Sequence, residues 1–338
     1  MTDNQLTKQL VDAISRAREG TAGFIPIEYT FGSLTGQNQF LFFMKPELLE
    51  NLAGLEGVIS LIMDGIHEYD FSIERMMVLS GRYLAEYGII SEHYGIIDAV
   101  ARNPRENLAQ KAADAFLSEY QISFDEAPVI GSIDYLDEYP DMSADELSKA
   151  WLDGGYKRLG SGTYCQYIDD KNLYLINGFY PRLLQHFIDG QSCIASFVLR
   201  ADLSWETARR DFVGVTEPEK AVAGSIRNEL LKQKEQLGVG EVSPNLNGVH
   251  LSAGPVEGLV ELKRFTTDHS TGKGTAALAE FTFGKTLQES FETGQIDSIL
   301  ANKTVTVDGR ETTVFDLTEE RNADESIDIL LSVGDQLA

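Results

Sequence analysis

The run FLFFMKPELLENLAGLEGVISLIMDG, residues 40–65, constrains the fold more than any other part of the chain. Five apolar residues in succession read as a strand, and Lys45-Pro46 stops it. Proline cannot donate to a ladder but suits the first helical position. The apolar residues after it recur with helical spacing. A strand followed directly by a helix is therefore expected, and YDFSIERMMVLSG (69–81) reads as a second strand.

The same reasoning carries along the chain. RYLAEYGIISEHYGIIDAVA (82–101) and PRENLAQKAADAFLSEYQ (104–121) are helical. An acidic piece, DYLDEYPDMSADE, reads as a solvated face, with capping-box spacing from Ser143 to Glu146 that opens a helix. TYCQYIDDKNLYLING reads as a hairpin, FYPRLLQHFIDG as a helix, SCIASFVLRA as a strand and SWETARRDFVG as a short helix. VTEPEKAVAGSIRNELL is cap-rich and irregular, NGVH is a strand end, and PVEGLVELKRF is a helix opened by Pro255. Asp308-Gly309 marks a second hairpin. The N-terminal twenty residues form an amphipathic helix, followed by the Gly/Thr/Ser/Asn-rich TFGSLTGQNQ.

Charge excludes several partners. With 28 basic and 53 acidic residues the chain carries −25, a field that repels nucleic acid and anionic lipid. A small anion needs a pocket that gathers Arg and Lys against that field. No stretch has the roughly 20 apolar residues of a membrane span. Cys165 and Cys193 match no zinc or redox spacing and read as buried thiols. A cytoplasmic protein is the expectation.

His250 stands between the Asn247-Gly248 turn and a helix start, with Glu261 eleven residues on. So placed, it is a nucleophile, a ligand or an inert strand-end residue. Three other features carry little. STGKGT (270–275) lacks the first glycine of a phosphate loop, His93 reads as structural, and the acidic run has no ligand spacing.

Five stretches in order, MKPE (44–47), SEHY (91–94), FYPRLLQHFIDG (179–190), RDFVGVTEPEKAVAGSIRNE (210–229) and NGVHLS (247–252), resemble the nucleoside diphosphate kinase family, with Glu261 beyond. The resemblance implies an α+β fold, a ferredoxin-like α/β sandwich with an antiparallel sheet, interrupted by a large insertion and extended at both ends. The implied layout is a helical arm (1–38), a kinase-like core in two parts (39–102 and 178–265), an insertion (103–177) and a C-terminal extension (266–338).

It also implies a ping-pong transfer of the γ-phosphoryl group from a nucleoside triphosphate, through a phosphohistidine, to a nucleoside diphosphate. Mg²⁺ would arrive bound to the nucleotide, and no metal ligands are expected in the protein. A homo-oligomer is implied as well. His250 is the implied nucleophile, a role that suits neutral imidazole near pH 7. Glu261 would orient its ring, and Ser252 lies close by or is a turn residue. Arg210 and Arg227 would hold phosphate oxygens, with Arg209 the counterpart if the register slips by one. Thr216 would contact phosphate, or cap a helix in TEPE as a capping box. Lys45 would meet ribose and phosphate, Asn247 the ribose hydroxyl, Tyr94 the transferred phosphate, and Phe179 would stack on the base.

The chain departs from the family where 84 residues separate Tyr94 from Phe179. The segment between Arg227 and Asn247 is expanded, and Leu251 and Ala253 replace a usual glycine and aspartate. Two rival readings follow: a phosphotransferase with a non-standard nucleotide or metabolite acceptor, and a non-catalytic nucleotide-binding regulatory module.

Overall fold

The computed structural model describes residues 3–28, 36–160 and 162–338, so much of the TFGSLTGQNQ stretch lies outside the described residues. The described residues contain eleven strands. They are β1 (Phe24–Pro26), β2 (Asn38–Met44), β3 (Ser72–Ser80), β4 (Val129–Gly131), β5 (Lys157–Gly160), β6 (Thr163–Ile168), β7 (Leu173–Ile176), β8 (Cys193–Ala201), β9 (Val249–Leu251), β10 (Thr304–Val307) and β11 (Arg310–Thr313). With the helices between them they make a mixed α+β protein. Two compact units result, one of residues 1–83 and 190–338, the other of 84–189. The second unit is wider at both ends than the 103–177 block expected from the sequence.

The first unit is built on an antiparallel sheet of order β1-β3-β8-β2-β9. All seven residues of β2 are buried, because both of its faces are covered. Side chains alternate across a strand. Phe40, Phe42 and Met44 therefore face one core with the Asp3–Arg18 and Leu55–Glu68 helices, Trp205 and Phe212. Phe43 points to the opposite face, where its ring stacks on Phe265 of the Pro255–Thr266 helix at 5.4 Å. Each fully buried Phe contributes about 1.5–3 kcal/mol relative to exposure. As expected, Pro46 and Pro255 stand at helix starts, and β10–β11 turns through Asp308 and Gly309, both with positive φ.

One segment expected to be irregular is ordered. Ile226–Leu237 is a helix, not an irregular segment. Only Ile226, Leu230 and Leu237 along it are buried, so its apolar stripe is too sparse to stand out. TEPE is likewise not a capping box led by Thr216. A 3-10 turn, Pro218–Lys220, follows Glu217, which makes no side-chain cap.

The second unit has a mixed sheet of order β4-β7-β6-β5, with β6–β7 the expected hairpin and β4 parallel to β7. Ser143 and Glu146 do form the capping box of the Ala144–Gly154 helix. No helix among the described residues is long and apolar enough to cross a membrane.

Candidate functional site

Strand β9 is three residues long and sits at the sheet edge. Its register on β2 pairs Met44 with Val249, Phe43 with His250, and Phe42 with Leu251. Val249 and Leu251 join the main core, and alternation turns His250 to the other face, beside Phe43. The two rings stack at 4.6 Å and 22°. That face carries the Pro255–Thr266 helix, whose buried Glu261 meets the imidazole: Nε2 lies 3.0 Å from Oε1. The histidine is therefore aimed by a strand register on one side and a helix carboxylate on the other.

The turn before β9 needs its glycine. Gly248 has φ +82°, and a Cβ there would stand 2.6 Å from Leu230 Cδ1. Its N–H donates to Glu47 Oε1, and its carbonyl accepts from the Lys45 N–H. Beside it, Lys45 Nζ donates to Asn247 Oδ1 at 2.7 Å, and Asn247 Nδ2 donates to the carbonyls of Thr216 and Pro244. Burial pulls the Lys45 amine down to about 8; Glu47 opposes this and Arg227 adds to it.

His250 opens onto a cleft of ≈ 440 Å³ that also presents Arg209, Arg210, Thr216 and Arg227, with Glu206 and Glu320 on its wall. The two consecutive arginines come from a π-helical turn, Ala208–Val213, closed by Gly214 N–H donating to the Arg209 carbonyl. Such turns are rare and frequent at functional sites. Arg210 is gripped by Asp211 through two parallel bonds, 2.9 and 2.8 Å, and by Glu206. Arg209 pairs with Glu319 and Glu320. Arg227 donates to the carbonyls of Gly214 and Val249, which ties the cleft floor to β9.

The sequence-expected residues therefore divide. His250, Glu261, Arg210, Arg227, Thr216, Lys45 and Asn247 gather in the first unit around one cleft and its adjoining turn. Ser252 is fully buried and exchanges hydrogen bonds with the Leu41 backbone, so its hydroxyl fastens β9 to β2 and does not line the cleft. Tyr94 and Phe179 belong to the second unit. There the Tyr94 ring lies against His93 and Phe187, and the Phe179 ring packs against Trp151 and Tyr164.

Sequence reasoning passed over several carboxylates around the cleft, among them Glu206, Asp211, Glu257, Glu319 and Glu320. Only Glu257 left a signal: it is one helical turn from Glu261. Burial, with Glu261 and then Glu319 nearby, raises its carboxyl to about 7. Nothing in the sequence foretells that Glu320 returns to the cleft from the far end of the chain. No family model and no curated protein sequence matches the chain.

Proposed function

We propose that the chain is a phosphotransferase that carries the γ-phosphoryl group of a nucleoside triphosphate to a nucleoside diphosphate through His250. The observation that carries this reading is the 3.0 Å contact of His250 Nε2 with buried Glu261, in a cleft lined by three arginines. A carboxylate on Nε2 holds the proton there and leaves the lone pair on Nδ1. Nδ1 attacks the γ-phosphorus. The N–P bond forms as the bridging P–O bond to the β-phosphate breaks, and the diphosphate leaves with that oxygen. Positive charge that develops on the ring is stabilised by Glu261. The second half reverses these steps with an acceptor diphosphate.

Charge stabilisation is what phosphoryl transfer asks of a protein, and the cleft concentrates guanidinium groups in a chain of net charge −25. Mg²⁺ enters as part of the nucleotide substrate. The strand order β3-β8-β2-β9, with the Leu55–Glu68 and Ile226–Leu237 helices as crossovers, supports a ferredoxin-like reading of the first unit.

Incubation with γ-labelled ATP and Mg²⁺ is expected to label His250 in an acid-labile, base-stable form that His250→Gln lacks. Folded protein that takes up no label refutes the proposal. A second reading, a specialised acceptor, is favoured by the presence of a whole compact unit at 84–189. Efficient discharge of the phospho-protein by every common nucleoside diphosphate would rule it out.

A further inference from the structure

The cleft arginine that the sequence reading left as an alternative, Arg209, is held by a distant part of the chain. Its Nη1 lies 2.5 Å from Glu319 Oε1 and 3.3 Å from Glu320 Oε1, and donates to the Ala253 carbonyl at 3.4 Å. These two glutamates follow the Val314–Thr318 helix, far beyond His250 in sequence. Their turn is pinned beside the histidine loop, where Glu320 N–H donates to the Ala253 carbonyl at 2.9 Å. Gly254 permits that approach, since a Cβ there would stand 2.5 Å from the Thr318 carbonyl oxygen. Glu320 has φ +58°, a left-handed conformation that a glutamate rarely adopts. Arg209, Glu320, Ala253 and His250 all line the same cleft.

A guanidinium recognises carboxylate and phosphate through the same planar donors. A non-glycine residue held in this conformation costs free energy that the surrounding contacts must offset. We propose that the Glu319–Glu320 turn occupies a phosphate position on Arg209, and that a phosphate chain entering the cleft takes Arg209 from it. The turn is then an internal competitor: it keeps the arginine oriented while the cleft is empty and sets a threshold for the entering anion. The inference rests on the part of the proposed function that makes the cleft a phosphate-binding site, and it assigns that site's regulation.

The test uses the full chain and inorganic pyrophosphate. Isothermal titration compares the unaltered protein, E319Q/E320Q, R209Q and the variant combining all three substitutions. Neutralising both glutamates is expected to tighten binding fivefold or more, and R209Q is expected to abolish that gain. The second arm separates competition for Arg209 from a general loss of negative charge, which would persist without the arginine. Equal or weaker binding by E319Q/E320Q overturns the proposal, and so does a gain that survives R209Q.

Hydrogen exchange of amides 318–321 in the unaltered protein supplies a readout free of substitutions. Saturating pyrophosphate is expected to speed exchange there, and unchanged or slower exchange overturns the proposal. The outcomes also separate the two claims. A gain without phosphohistidine at His250 removes the transferase and keeps the gate. Phosphohistidine without a gain removes the gate and keeps the transferase.

Discussion

Replacing Glu257 by Gln is expected to stabilise the protein at pH 8 and to change little at pH 4. Glu257 faces Glu261 on its own helix, Glu319 and Asp316 from the C-terminal segment, and Arg209 from the π turn. Burial is the largest cause that raises its carboxyl from 4.5 to about 7; the neighbouring carboxylates add to it and Arg209 opposes it. That gap corresponds to about 3 kcal/mol between protonation states. The folded chain binds this proton more tightly than the unfolded chain. The contribution to stability is therefore complete below pH 4.5 and is lost as pH rises to about 7. Glutamine keeps the shape and never ionises, so E257Q should gain about 1–3 kcal/mol at pH 8. Urea unfolding at pH 4, 6 and 8 measures the difference. A gap between variant and parent that does not widen from pH 4 to pH 8 refutes the reasoning.

Three further outcomes follow from the same geometry. Pyrophosphate affinity should fall as pH passes about 8, where the Lys45 ammonium, its pKa lowered chiefly by burial, gives up its proton, and Lys45→Gln should flatten that profile in titrations. Gly248→Ala should destabilise the first unit by about 2 kcal/mol or more, from positive φ and the clash with Leu230, read by denaturant unfolding. Burial pushes both thiols up to about 12, so Cys165 and Cys193 should resist iodoacetamide at pH 8 until each one's own unit unfolds.

Much of the scaffold was legible because it rests on local chemistry. The apolar run at 40–44, the prolines at 46 and 255, the Ser143–Glu146 box and the Asp308-Gly309 turn each act within a few residues. The Ile226–Leu237 helix was not legible, since its inward stripe is three residues in twelve and its stability comes from packing. The sequence leaves Ser252 open between a place beside the histidine and a turn, because a hydroxyl near a histidine in sequence says nothing about which face it occupies; its bonds go to the Leu41 backbone. Tyr94 and Phe179, expected with the core, fall within a compact unit wider than the 103–177 block, a boundary drawn by packing between residues distant in sequence.

The sequence by itself determined where the chain extends, coils and turns, and it singled out His250, Glu261 and the arginines as residues worth placing. Only the tertiary structure decided that His250 and Glu261 meet at 3.0 Å, because strand register and helix packing join residues that no local rule relates. It alone brought Glu319 and Glu320 to Arg209, a contact that spans 110 positions in the case of Glu319. Local propensity acts over a few bonds, whereas a cleft is a property of surfaces that meet only after the chain has collapsed.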